Sequence, residues 1–331
     1  MVKLHALSGL VFAGALASTL GAAAFSTFRN PLVHGADPCL VYYKGWYYLS
    51  VTTGRDVKIR KAHRLADLGT AEAVTVYHSD DPAQSHAVWA PEFHRFGGKW
   101  YLYVTGGAES EPSHRMWVGE GTGDTPMGPY QFKAKLLTDP KDEFYAIDGH
   151  PFRAGDGKMY FVWCGRPSVT GQGIYISKMK NPWTLEGPRV PMLVDGFGCS
   201  FVREGPEALV RNGKVFLTYS ACSADTPDYK IGMTVADAKA DLLNPSSWKQ
   251  DPTPVFQRND EAGVYGTGHH FFFRSPDGKE DWIVYHAKPS TKIGYADRDT
   301  RAQKIDWKDG FPVLGKPLPT GTDIPAPSGE K

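Results

Sequence analysis

The 331-residue chain sets 37 Lys and Arg against 36 Asp and Glu, and 41% of it is hydrophobic and 13% aromatic. That composition suits a soluble globular protein with a large core. A net charge of +1 with no basic run offers no electrostatic basis for binding nucleic acid or an anionic membrane.

Residues 1–24 open with Lys3, continue through an Ala-, Leu- and Gly-rich apolar stretch and end at Ala22-Ala23-Ala24. This is the order of a secretory signal peptide cleaved after Ala24, with an uncleaved anchor as the rival reading. Residues 25–331 are then the mature, secreted protein, with no membrane partner after cleavage. The four cysteines (Cys39, Cys164, Cys199 and Cys222) contain no CxxC, so no cysteine zinc site is expected. An oxidising destination permits disulfides, and four cysteines allow three complete pairings. Cys199 and Cys222, which flank one predicted hairpin, are the favoured pair.

In chain order the mature sequence predicts the same hairpin five times. CLVYYKGWYYLSVTTG (39–54), EFHRFGGKWYLYVTGG (92–107), PFRAGDGKMYFVWCG (151–165), EALVRNGKVFLTYSA (207–221) and HFFFRSPDGKEDWIVYHA (270–287) each join two β-branched and aromatic runs across a glycine turn. The turn glycines Gly45, Gly98, Gly157, Gly213 and Gly278 lie 53 to 65 residues apart. Further strand-like segments follow each hairpin, DVKIRKA and EAVTVYH after the first, and KIGYADR and FPVLG after the last. Four strands per unit and no long amphipathic helix predict an all-β, five-bladed β-propeller.

The first strand of each propeller blade lines the central axis, so matching positions converge there. Counting back from the turn glycines places Asp37, Glu92, Asp148, Glu204 and His269 at those positions. Acidic residues are depleted in strands, and their recurrence, without a Ser or Cys nucleophile pattern, points to acid–base chemistry on a glycosidic bond. One carboxylic acid protonates the leaving oxygen and a carboxylate activates water or attacks the sugar. A third carboxylate supplies the like charge that keeps the acid protonated. Glu207, just after Pro206, reads better as the start of a strand than as the acid.

NPLVHGADP (30–38), VWAPEFH (88–94), AIDGHPF (146–152), VREGPEAL (202–209), GVYGTGHH (263–270) and TRAQKIDWKDGFP (300–312) together resemble glycoside hydrolase family 43, the five-bladed propellers acting on arabinans, arabinoxylans and xylans. The resemblance covers almost the whole mature chain. It implies an inverting enzyme with Asp37 as general base, Glu204 as general acid and Asp148 as the residue that orients Glu204 and raises its pKa. It implies Arg301 as the cation on Asp37, and Glu92 as a structural hydrogen-bond partner. His269 corresponds to the histidine that in related arabinan-degrading members sits beside a central cation, often calcium, bound largely through water; no cofactor is required. Trp89, Phe197, Trp163, Tyr145 and Tyr265 lie near the motifs and are candidates for the sugar pocket.

The resemblance is strongest to exo-acting α-L-arabinofuranosidases releasing terminal residues from plant cell-wall arabinan, arabinoxylan or derived oligosaccharides. β-Xylosidase and endo-1,5-α-arabinanase are the alternatives on the same fold, and a non-catalytic polysaccharide-binding propeller is the rival of another class.

Overall fold

The computed structural model describes Met1, residues 26–168 and residues 171–331, so the expected secretory segment lies, but for Met1, outside the described residues. Among the described residues no helix is long and apolar enough to cross a membrane.

Five antiparallel sheets form the blades of a propeller. Each opens with one predicted hairpin. The axis-lining first strands are Cys39–Tyr43, His86–Phe96, Ala146–Arg153, Arg203–Arg211 and Tyr265–Arg274, in blades 1 to 5. Each pairs with the strand after its turn, for instance Tyr43 with Trp46 and Arg211 with Lys214. Rings packed between sheets make up much of the core, with Trp163, Trp282, Tyr47 and Tyr103 fully buried.

The fifth blade differs from the sequence reading. KIGYADR (292–298) is not a strand; the third strand is Asp299–Lys308, and the outer strand is Val33–His34 from the start of the described chain. Pairing Val33 with Thr300 and His34 with Asp299 closes the ring. A second clasp, Thr27–Arg29 on Asp323–Pro325, ties the two ends together. Loop 289–298 is thereby freed from the sheet and lies over the axis.

The first strands share one further device. Their register slips between Trp89 and Glu92, Ile147 and His150, Glu204 and Glu207, and Gly268 and Phe271. At each bulge one residue is left-handed: Ala90 (φ 43°), Asp148 (53°), Gly205 (52°) and His269 (41°); Asp37 (55°) holds this place just ahead of blade 1. Such a backbone costs a non-glycine residue on the order of 1 kcal/mol or more and persists only where its surroundings hold it. Here the preceding blade does the holding. The amides of Ala90, Asp148 and His269 donate to Thr52 Oγ1 (2.8 Å), Thr105 Oγ1 (3.1 Å) and Ser220 Oγ (2.8 Å), and the Asp37 amide donates to His286 Nδ1 (3.3 Å). Bulges re-aim side chains, and these turn Asp37, Asp148 and His269 towards one mouth of the axis.

This register also corrects the count from the turn glycines. The blade 2 equivalent of Asp148 is Ala90, and Glu92 belongs two residues deeper, level with His150 and Glu207. Each bulge adds one residue, and the left-handed position lies eight residues before the turn glycine in blades 1, 2 and 4 and nine in blades 3 and 5, whose turns are longer. Glu92, at six, falls beyond it.

Candidate active site

Asp37, Asp148, Glu204 and His269 line one cavity of about 710 Å³, together with Trp89, Tyr145, Gln172, Phe201, Tyr295 and Arg298. Every axial group comes from a different blade, and Arg298 and Tyr295 come from the freed loop 289–298.

Asp37 is surrounded by nitrogen. Its Oδ1 lies 3.3 Å from His269 Nδ1, 3.2 Å from His286 Nδ1 and 3.3 Å from Arg298. Burial alone would raise its carboxyl, but His269, His286 and Arg298 outweigh burial and hold it well below the usual carboxylate range. Asp37 is therefore ionised wherever the protein is folded near neutral pH, in the state a base requires.

Glu204 and Asp148 are driven the other way. Burial raises the Glu204 carboxyl, and the Asp37 charge adds to it against His269 and a hydrogen bond from Tyr229. Burial likewise pushes Asp148 up to about 7, with the charges of Glu204 and Asp37 adding and His269 opposing. Asp148 Oδ2 accepts the Gly205 amide at 3.2 Å, which fixes it against the backbone beside Glu204. The Tyr229 hydroxyl donates to Glu204 Oε1 at 2.8 Å, and its ring stacks on His286 at 5.3 Å. Gly268 makes room for that ring: a Cβ there would lie 2.4 Å from Tyr229 Cε1. One cleft thus sets a carboxylate held in its ionised form opposite two carboxyls driven towards their protonated forms.

Residues 28–312 match the sequence profile of glycosyl hydrolases family 43. The chain belongs to this family. It is 35% identical to an extracellular exo-α-(1→5)-L-arabinofuranosidase of Streptomyces avermitilis, over 96% of this chain and 69% of that protein. It is also 35% identical to a protein of the same description from Streptomyces chartreusis, over 87% of this chain and 92% of the other. Among solved structures it resembles the α-L-arabinofuranosidase of Lactobacillus brevis, with a TM-score of 0.82 and 35% identity over 89% of this chain and 98% of that one. It is a glycoside hydrolase of O-glycosyl bonds.

The propeller of this family-43 hydrolase brings together Asp37, Asp148, Glu204, His269, Trp89 and Tyr145, as the motifs suggest. Arg301 is elsewhere: it donates to Thr320 Oγ1 and the Leu318 carbonyl, while Arg298 meets Asp37. Arg301 lies within the Asp299–Lys308 strand, whose pairing fixes its direction, whereas Arg298 ends the free loop. Phe197 packs on Tyr219, Tyr265 lies under the Arg258 guanidinium, and Trp163 is wholly buried, so none lines the cavity. Phe201 and Tyr295, both largely exposed, supply aromatic wall instead. Tyr229 and His286 escaped the sequence reading because they lie behind the axis, Tyr229 just ahead of the Lys230–Asp237 strand and His286 within Asp281–Lys288. His286, the one polar residue near the end of the buried run WIVYHA, is the one visible signal.

A calcium cage of protein atoms does not fit His269. Calcium takes six to eight oxygen ligands, and Nδ1 of His269 is turned to Asp37 among carboxylates held by other partners.

Proposed function

We propose that this hydrolase is secreted and releases terminal α-L-arabinofuranosyl residues from arabinan or arabinoxylan with inversion of configuration. The observation that carries the proposal is the pairing, in one cleft, of an Asp37 ringed by a guanidinium and two imidazoles with the half-buried Glu204 and buried Asp148. Relatives described as exo-acting and extracellular support the mode of attack and the location.

In the proposed reaction Asp37 accepts a proton from water as its oxygen attacks the anomeric carbon. The glycosidic C–O bond breaks and the leaving oxygen takes its proton from Glu204. Both carboxyls then exchange protons with solvent. Asp148 orients Glu204 and raises its pKa, and the carboxyls of Asp37, Asp148 and Glu204 draw the His269 imidazole towards its protonated form against the effect of burial. Trp89 and Tyr145 offer ring faces to the sugar. A calcium ion at the propeller centre would be held through water beside His269, and no step uses it.

The test is hydrolysis of linear α-1,5-arabino-oligosaccharides and β-1,4-xylo-oligosaccharides by the wild type and Glu204→Ala, with products separated by chromatography. Monomeric arabinose released by the wild type and not by the variant is the expected result. Xylose release would assign a β-xylosidase, internal arabinan fragments an endo-enzyme, and no cleavage of either a binding propeller.

A further inference from the structure

Two residues past the bulges lies a second tier of axial side chains, which the hydrolytic reaction does not use. Glu92, His150 and Glu207 occupy equivalent places on the first strands of blades 2, 3 and 4. His94, two residues beyond Glu92, joins them. Glu92 Oε2 lies 2.7 Å from His94 Nε2 and 3.0 Å from His150 Nδ1, and these three donor atoms lie within 4.8 Å of one another. His150 Nδ1 is also 3.1 Å from Glu207 Oε2. We propose that Glu92, His94, His150 and Glu207 form a binding site for a single divalent transition-metal ion, zinc by the chemistry of the donors.

The donor set is two imidazole nitrogens and two carboxylate oxygens. Imidazole suits zinc and its neighbours, whereas calcium and magnesium select oxygen. A tetrahedral zinc with bonds of about 2.0–2.2 Å has donors separated by roughly 3.3–3.5 Å. To admit it, the two contacts of His150, at 3.0 and 3.1 Å, need spread by about 0.2–0.5 Å and the 2.7 Å Glu92–His94 contact by about 0.6–0.8 Å. Glu207, which is not among the donors within 4.8 Å of one another, must close on His94. One divalent cation also neutralises the two carboxylates, and buried charges persist when paired or bound to a metal. The His94 ring is already held, edge-on to His150 (5.0 Å), Tyr103 (5.6 Å) and Phe271 (5.7 Å).

This tier is separate from His269, which faces Asp37. The first strands run from the catalytic mouth to the opposite one, where a cavity of about 320 Å³ is lined by His94, His150 and Glu207. An ion reaches the tier from that side without crossing the substrate cleft. The four arginines at this mouth are engaged elsewhere: Arg95 lies over the Tyr43 ring, Arg211 and Arg274 pair with Asp281, and Arg153 donates to the Gly157 carbonyl.

The test is isothermal titration of zinc into the tag-free, chelator-stripped mature protein, with elemental analysis of the dialysed product. One equivalent is expected. His94→Gln, changed at a partly open position, should bind at least about tenfold more weakly, since even an outer-shell partner is worth that much. A folding defect in the variant is bypassed by cobalt(II) on the wild type, which should give the intense visible absorption of a tetrahedral site. Zinc binding unchanged in a folded His94→Gln, or neither stoichiometric zinc nor a tetrahedral cobalt spectrum in the wild type, overturns the proposal.

Discussion

Asp148 Oδ2 accepts the backbone N–H of Gly205 at 3.2 Å, so the carboxylate of blade 3 is bonded to the residue next to Glu204 in blade 4. Both residues sit at bulges in the left-handed region. The contact joins two blades at the point where the proton donor must be held, and places a like charge beside it.

Asp148→Asn retains an acceptor for Gly205 and tolerates the left-handed backbone, but removes the charge. Glu204 and Asp148 repel each other when both are ionised, and without that repulsion the Glu204 carboxyl falls. The alkaline limb of the pH–rate profile should move to lower pH, and kcat at neutral pH should drop by about 10²–10⁴. An unmoved alkaline limb would separate Asp148 from the acid.

Tyr229→Phe removes the hydrogen bond to Glu204 Oε1, which favours the ionised form. Its loss raises the acid, and the alkaline limb should move up instead. A bond to a charged group is worth roughly 1.5–3 kcal/mol, so a shift of about one to two pH units is the expected scale. Tyr229→Phe and Asp148→Asn should therefore displace the same limb in opposite directions.

How far the site was legible in the sequence is clear from these residues. Asp37, Asp148, Glu204 and His269 stood out because repeated hairpins with KG, GG, DG and NG turns supply a ruler, and an ionisable residue recurs along it. The ruler failed at Glu92, which lies only six residues before its turn glycine, whereas the left-handed axial position lies eight or nine before it in every blade. Tyr229 carries no local mark and His286 only its polarity within a buried run; Tyr229 reaches the site from just ahead of the Lys230–Asp237 strand and His286 from the Asp281–Lys288 strand, behind the axis. Phe197 and Tyr265 lie close to the motifs in sequence, yet their rings turn away. The fifth blade was misread where strand-like KIGYADR is displaced by a strand from the far end of the chain.

Arg298 and Arg301 are three residues apart and should behave differently. Arg298 lowers both Asp37 and Glu204, so Arg298→Ala should move both limbs of the pH profile to higher pH and reduce kcat/KM. Arg301→Ala, whose lost contacts are with Thr320 and Leu318, should leave both limbs in place. Exchange of these phenotypes would restore Arg301 to the site.

Cys199 and Cys222 form a disulfide, the pair favoured by their position around one hairpin. It anchors the segment that carries Phe201 and Val202 into the cavity wall. Closing a loop of this length contributes about 3 kcal/mol by the chain-entropy argument. Cys199→Ser/Cys222→Ser should lose about that much in urea unfolding and raise KM more than it lowers kcat. Unchanged KM would show the wall to be fixed without the bridge.

The most direct measurement of the central claim is the anomeric configuration of the first sugar released, followed by proton NMR before mutarotation. A water activated by Asp37 attacks opposite the leaving group, so an α-L-arabinofuranoside should yield β-L-arabinofuranose first. Initial appearance of the α anomer would mean a covalent glycosyl-enzyme, and would contradict Asp37 as a base acting through water.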